Sequence, residues 1–317
     1  MATDFISITT THVGVCGSDL QKLEVGTELE VLGHEIVGLA VIDGQSQRVA
    51  VNPLISCGQC EFCLSDRAMF CENLSVIGRD APGALAGTIA VPLTNIVPLH
   101  DAIEDGTAVL ADPYAVVVHG ASLLPELSKA QRIVIIGDGI IGLLNLVYLY
   151  IYGSKKAHYV LVSPKEERLE HLQTWLGEWA PQSFVQRVRF TTSLEDEKLF
   201  DVAIEAVGRN QIKTFTQAVR SLVPRGKVLS YGVYPPQSIM NVDMRALMYK
   251  EVSVIGVNSY NPQDFKQAIE DLYTHHTIMT TLVGEIYQWS DRSEAIRAAR
   301  DKIKGISKKI VIKVEQL

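Results

Sequence analysis

Hydrophobic and polar positions follow two different rhythms along this chain. Over residues 1–112, valine and glycine recur in short alternating runs, 49–51 and 88–91 among them, and this predicts β-strands joined by loops. From about Tyr114 the texture changes. Short apolar runs at 132–136, 159–162, 187–190, 202–204, 227–231 and 253–257 follow one another as predicted strands. Helical stretches lie between several of them, over 140–152, 165–176 and 212–222. Strand–helix alternation predicts a parallel sheet covered on both faces. Beyond Asn258 the pattern predicts a helix over 263–272, another near 293–300 and a last strand over 309–314. The expected organisation is a doubly wound α/β domain at 113–258, inserted between a β domain at 1–112 and a return to that domain at 259–317. No internal repeat or low-complexity tract interrupts it.

One run, 133–152, is apolar enough to mimic a membrane span, apart from Asp138, Asn145 and its glycines. A buried parallel strand running into a buried helix gives the same hydropathy, and the glycine pattern within the run favours that reading. The opening segment 1–11 is polar, so no signal peptide and a cytoplasmic location are expected. At 317 residues the chain has room for about two domains, and 47% hydrophobic with 21% charged residues is ordinary for a globular protein. The formal charge of −7, from 29 basic and 36 acidic side chains, lacks the basic excess of a nucleic-acid binder. An anionic cofactor remains compatible with it, because helix N-termini bind anions.

Four of the five cysteines cluster. Cys57, Cys60, Cys63 and Cys71 form C-x2-C-x2-C-x7-C, a spacing that lets four thiolates turn inward around one Zn²⁺ at about 2.3 Å. No proline follows the fourth cysteine, and the spacing matches an iron–sulfur motif only loosely. A closed four-thiolate site has no open position and is expected to staple a loop.

The fifth cysteine lies in Gly14-Val15-Cys16-Gly17-Ser18-Asp19, and Gly33-His34-Glu35 with Gly38 follows. Asp112, before Pro113, is a third candidate. A thiolate, an imidazole and one carboxylate can hold Zn²⁺ and leave a position for a substrate oxygen. Each fragment alone reads more simply, the cysteine as core and the His-Glu pair as a solvated surface feature. Their order along the chain is what joins them into one candidate site, with Glu35 and Asp112 both open as the carboxylate ligand.

Further on, a β-branched run leads into Gly137-Asp138-Gly139-Ile140-Ile141-Gly142 and then an apolar helix. This is G-x-G-x-x-G in the context that a dinucleotide pyrophosphate requires. Gly137 permits the turn, Gly139 the approach of backbone to pyrophosphate, and Gly142 the close packing of helix on strand. About twenty residues on, an acidic side chain would hold the adenosine ribose. Ser163 stands there instead, with Lys165 and Arg168 after it.

GVCGSD, GHE-x2-G, the cysteine cluster and the later GxGxxG, in this order, resemble the zinc-containing medium-chain dehydrogenase/reductase family over nearly the whole chain. The resemblance implies a GroES-like β-barrel catalytic domain followed by a Rossmann domain. It also implies hydride transfer between an alcohol or ketone and a nicotinamide cofactor, with zinc polarising the substrate oxygen. Cys16 and His34 carry over as ligands of the catalytic zinc, Glu35 as a ligand or exchange partner, and Asp112 as the ligand before a proline. Ser18 carries over as the proton relay, and Asp19 as a residue that orients its neighbours. Gln21 replaces the histidine that continues the relay in many relatives. Val207, Gly232, Val233 and Val257 are implied to line the nicotinamide half of the cofactor site.

NAD-preferring relatives carry aspartate at the position of Ser163, so Ser163, Lys165 and Arg168 lean the expectation toward NADP(H) and a 2′-phosphate. Two Zn²⁺ per chain, one catalytic and one structural, and a homodimer or homotetramer are expected. The non-cysteine third ligand and the Asn258-Ser-Tyr260-Asn-Pro segment are similar to the polyol and threonine dehydrogenase branch, and imply a polyol, sugar, cyclitol or amino alcohol as substrate. A simple alcohol or aldehyde reductase, and a cofactor-binding protein without turnover, are the competing readings. Thirteen residues precede Gly14, and the link from Gly38 to Arg48 is short, so the first barrel sheet is expected to be trimmed.

Overall fold

The computed structural model describes residues 4–195, 197, 199–208, 211–234, 239–240, 242–301 and 308–314. The chain divides into two compact units. One comprises Met1–Val116, Ser259–Ile303 and Lys308–Leu317, and the other Val117–Asn258 with Lys304–Ser307.

In the first unit the strands are β1 (Phe5–Gly14), β2 (Glu35–Ile42), β3 (Gln45–Val51), β4 (Leu54–Ile55), β5 (Ser75–Val76), β6 (Thr88–Pro92) and β7 (Ile96–Pro98), joined late in the chain by β14 (Val283–Gln288) and β15 (Lys309–Lys313). Seven of them form one sheet in the order β14-β15-β1-β2-β3-β7, with β6 also paired to β1. The long strand β1 changes partner along its length. Phe5–Thr9 pairs with β6, and His12–Gly14 pairs with β15. A register shift against β2 between Thr10 and His12 marks the change, and a bulge of this kind bends the strand that carries it. Inward-facing Ile8, Val13, Ile36, Ala40, Val49, Val51, Val91 and Ile312 make the core of this unit. The short pair β4–β5 flanks the four-cysteine segment in sequence.

The second unit holds β8 (Arg132–Ile136), β9 (His158–Val162), β10 (Val188–Thr191), β11 (Phe200–Glu205), β12 (Leu222–Ser230) and β13 (Ser253–Gly256). They lie in the order β10-β9-β8-β11-β12-β13, every pairing parallel. This is the doubly wound order in which the progression of strands across the sheet reverses between β8 and β11, leaving a crevice at the carboxyl ends of the strands. Helices Ile140–Tyr152, Leu169–Trp179, Gln211–Arg220 and Met244–Lys250 follow β8, β9, β11 and β12.

The run that mimics a membrane span is thus the strand β8 and the helix Ile140–Tyr152. Leu143, Leu144, Leu146, Val147 and Leu149 of that helix are all buried, each contributing roughly 1.5–3 kcal/mol by leaving water. Its polar exception, Asn145, donates to the Ile141 carbonyl and accepts from the Tyr231 hydroxyl. Among the described residues no helix is long and apolar enough to cross a membrane.

Two predicted elements of the second unit shift their bounds by more than two residues. The helix expected over 165–176 is a 3₁₀ turn at Glu166–Arg168, where Arg168 turns inward, followed by a helix Leu169–Trp179. Its end carries Trp175 and Trp179, whose rings pack on each other, and Phe184 and Tyr150 close on Trp179. Strand β12 begins at Leu222, before the Pro224-Arg225-Gly226 segment that reads as a turn. Arg225 takes a positive φ there and the register against β11 slips, so the strand passes through an irregularity that local propensity scores as a break.

Candidate functional site

Antiparallel pairing of β1 with β2 sets Gly14 opposite Glu35. Cys16 lies just past the end of β1 and His34 just before the start of β2, so two sequence-distant fragments meet at one end of the sheet. On the other side of β1, Gly14 pairs with Val311, and the Val15 N–H donates to the Ile310 carbonyl at 2.9 Å. That register delivers Lys309 to the same place. Gly14 is required there, because a Cβ on it would lie 1.9 Å from Glu35 Oε2.

One ligand atom each from Cys16, His34 and Glu35 lies within 4.8 Å of the others. The helix Gly17–Glu24 starts directly after Cys16, which is its N-cap. Asp19, in the first turn, accepts the Cys16 N–H on Oδ2 at 3.0 Å and places Oδ1 3.3 Å from His34 Nδ1. A carboxylate on Nδ1 fixes the ring's orientation and leaves Nε2 for the cluster. Ser18 is half-buried in the same turn, and Gln21 is exposed.

Glu35 and Lys309 are 1% and 3% exposed, with Lys309 Nζ 2.5 Å from Glu35 Oε1. Glu35 Oε2 is buried and has no hydrogen-bond partner among the described residues. Burial pulls Lys309 down, but the charges of Glu35 and Cys16 more than offset it and keep the ammonium protonated. Burial likewise opposes charge on His34, and Cys16 and Asp19 outweigh it, holding the imidazole well above its ordinary value. Asp112 is not among the three gathered groups. Its Oδ1 accepts from the hydroxyl of Tyr260 at 2.5 Å, and burial raises its carboxyl against the attraction of His34.

An unpaired buried acceptor costs about 1–3 kcal/mol. The Glu35 carboxylate gathers with a thiol and an imidazole nitrogen and leaves Oε2 unpaired, a cost that a bound cation would relieve, and sulfur, nitrogen and oxygen donors suit Zn²⁺. The fit of the second cluster is geometric. Cys57, Cys60, Cys63 and Cys71 place their sulfurs within 4.8 Å of one another. Cys57 Sγ is 3.9 Å and Cys60 Sγ 3.5 Å from Cys63 Sγ, near the edge of about 3.8 Å for a tetrahedron with arms of about 2.3 Å. Backbone N–H groups of Gln59 and Cys60 aimed at Cys57 lower its thiol to about 6, while burial pushes Cys71 to about 11.

In the second unit the predicted cofactor residues fall along one edge of the parallel sheet. Ile136 is in register with Val162 and Glu205, Glu205 with Ser230, and Ser230 with Gly256. Gly137, Ser163 and Val257 come directly after those strand ends, and Val207, Gly232 and Val233 within three residues of them. Gly137 has φ +117°, and a Cβ on Gly142 would lie 2.0 Å from the Gly137 carbonyl oxygen. Nothing lies within 4 Å of a Cβ built on Gly139, at the N-terminus of the helix that begins with Ile140 and Ile141, so the loop offers backbone and open space to a pyrophosphate.

Ser163, Lys165 and Arg168 part ways. Lys165 is exposed, with Nζ 3.7 Å from Glu167. Ser163 and Arg168 are buried, and both donate to Asp138 Oδ2 at 2.8 Å. Sequence reasoning passed over Asp138, Lys309 and Tyr260 as contacts of the site. It also passed over Glu205, a buried acid at the same sheet edge that accepts from Thr214, Ser230 and the Val207 N–H.

Residues 3–101 match the model of the alcohol dehydrogenase GroES-like domain, and residues 141–274 that of the zinc-binding dehydrogenase. The chain is 27% identical to the uncharacterized zinc-type alcohol dehydrogenase-like protein YdjJ of Escherichia coli (strain K12), over 96% of this chain and 92% of that protein. It is 26% identical to the L-idonate 5-dehydrogenase (NAD(P)(+)) of Escherichia coli (strain K12), over 95% and 90%. In fold it is similar to an Escherichia coli CFT073 alcohol dehydrogenase complexed with NADH, with TM-score 0.82 and 20% identity over 98% of this chain and 92% of that one. A Sinorhizobium meliloti 1021 chain bound to NADP gives TM-score 0.81 and 21% identity over 99% and 93%. Together the two family models cover most of the chain, and the chain belongs to the zinc-type medium-chain alcohol dehydrogenases, oxidoreductases acting on hydroxyl groups, on the side of the family that holds polyol dehydrogenases.

Proposed function

We propose that this enzyme interconverts a secondary alcohol and its ketone, the substrate being a polyol, sugar, cyclitol or amino alcohol, with NAD(P)(H) as hydride carrier. The observation that carries the reading is the gathering of one ligand atom each from Cys16, His34 and Glu35, with Glu35 Oε2 left unpaired. In this reading those three residues hold a catalytic Zn²⁺, and Cys57, Cys60, Cys63 and Cys71 hold a structural one. Such a Zn²⁺ supplies Lewis acidity toward a substrate oxygen, and the nicotinamide ring gives or takes the hydride.

The protein's own groups do the rest. Asp19 fixes the His34 ring through Nδ1. Lys309 takes Oε1 of Glu35 and leaves Oε2 free for a cation. Asp112, restrained by Tyr260, stands as the alternative carboxylate ligand. Ser18 passes the proton between the substrate hydroxyl and water, and because Gln21 cannot relay it, water takes over at that point. Gly137, Gly139, Ile140, Ile141 and Gly142 receive the pyrophosphate, and Val207, Gly232, Val233 and Val257 line the nicotinamide half. Residues 1–112 with 259–317 then serve as the catalytic domain and 113–258 as the cofactor domain. A homodimer or homotetramer using the β13 edge, and a cytoplasmic location that keeps the thiolates reduced, belong to the same reading.

The substrate class rests on relatives such as the L-idonate and L-galactonate dehydrogenases. The test is a panel of sugar acids, polyols and amino alcohols beside simple primary alcohols, followed by absorbance of the reduced cofactor. Turnover of secondary hydroxyls above that of the simple alcohols, abolished in His34→Ala with cofactor binding intact, is expected. Undiminished turnover in His34→Ala would refute the proposal.

A further inference from the structure

We infer that Asp138, the residue between the first two glycines of the cofactor loop, selects the adenosine ribose of NAD(H) and rejects the 2′-phosphate of NADP(H). The inference rests on the proposed cofactor role of this unit. It reverses the lean toward NADP(H) drawn from Ser163, Lys165 and Arg168.

A ribose-binding acid is expected at the end of β9, about twenty residues beyond the glycines, where its carboxylate meets the adenosine hydroxyls. The residue after β9 is Ser163, which has none. Parallel pairing of β8 with β9 brings the two strand ends together, with the Gly137 N–H on the Val162 carbonyl at 3.0 Å. The next residue in the loop is Asp138, and its Oδ2 reaches across to the Ser163 hydroxyl at 2.8 Å. The carboxylate missing from the end of β9 is therefore supplied at that end by the neighbouring strand. Both hydrogen bonds on Asp138 land on Oδ2, leaving Oδ1 as an acceptor without a partner among the described residues.

Charge decides against the phosphate. Arg168, the strongest candidate for gripping it, is 3% exposed and ion-paired to Asp138 at 2.8 Å. Its guanidinium is neutralised by the acid already beside it. A 2′-phosphate carries between one and two negative charges at neutral pH. To use Arg168 it would have to break a buried ion pair and face the Asp138 carboxylate, a like charge that disfavours it. Lys165 remains on the rim, exposed and close to Glu167, where screening leaves an ion pair little energy. A ribose hydroxyl, by contrast, donates to a carboxylate and leaves the Arg168 pair intact.

The test is fluorescence titration of the full-length protein with NADH and with NADPH. Wild type should bind NADH at least tenfold more tightly. Asp138→Asn, which keeps the shape and removes the charge, should weaken NADH binding and tighten NADPH binding, narrowing or inverting the ratio by tenfold or more. Arg168→Gln keeps the carboxylate, so the preference for NADH should persist in it. Wild type binding NADPH as tightly as NADH overturns the inference, as does an Asp138→Asn ratio equal to wild type. So does selective loss of NADPH binding in Arg168→Gln. If neither cofactor binds wild type, the proposed cofactor role itself fails, and the inference with it.

Discussion

Replacing Lys309 by methionine isolates the electrostatics beneath Glu35. The side chains differ little in length, so packing in β15 is largely kept while the ammonium is lost. Both partners of the Glu35–Lys309 pair are almost fully buried, at 1% and 3% exposure, so solvent screening does not reduce the interaction as it does on a surface. Removing one partner of such a pair costs about 3–5 kcal/mol, because the other charge stays behind uncompensated. That is a large share of the roughly 5–15 kcal/mol that holds a typical protein folded.

Two features make the expectation specific. Glu35→Gln combined with Lys309→Met removes both charges, so the double variant should be more stable than Lys309→Met alone. A cation at Oε2 would also compensate Glu35, so the cost should be smaller with Zn²⁺ present than in a chelator. Urea unfolding gives the energies, and hydrogen exchange of peptides covering Phe5–Gly14 and Glu35–Ile42 places the effect in the first unit. A cost below about 1 kcal/mol in chelator, or a double variant worse than the single one, would refute the reasoning.

Asp105 gives a pH test away from the metal ligands. His12, whose pull exceeds the opposing effect of burial, and then Arg48 hold Asp105 at about 2, below its ordinary 3.8. A depressed carboxyl adds stability above its unfolded value and loses it as pH falls toward the folded one. Asp105→Asn should therefore cost about 1 kcal/mol at neutral pH, after discounting for partial exposure, and almost nothing near pH 2. Urea midpoints across that range check it, and a pH-independent cost would contradict it. In the four-cysteine lobe, Cys60→Ser should lose the structural zinc and speed hydrogen exchange over residues 54–76, leaving β8–β13 unchanged. Unaltered exchange in the lobe would show that the cysteines hold no staple.

What could be read beforehand was whatever local pattern determines. Strand β8 and the helix Ile140–Tyr152 follow from a β-branched run, a glycine turn and an apolar helix in sequence, and their bounds were legible to the residue. The four cysteines announce their cluster because a knuckle is a local structure. Cys16 and His34 were legible through their motifs, although only the β1–β2 register brings them together. The contacts that escaped are those made across the fold. Lys309 meets Glu35, and Tyr260 meets Asp112, from the far end of the chain. One signal was available for Lys309. Adjacent Lys308 and Lys309 open an apolar strand, and successive strand residues face opposite sides, so one lysine had to point toward the core. Asp138 gave no such warning, since its role depends on two strand ends meeting.

The central claim is most directly tested by counting metal. Elemental analysis of the purified protein, made in zinc-containing medium, should find two Zn²⁺ per chain in wild type and one in Cys16→Ser, with the four-cysteine site still filled. A wild-type chain that holds only one Zn²⁺, or a Cys16→Ser variant that keeps both, would contradict the assignment of Cys16, His34 and Glu35 to a catalytic metal.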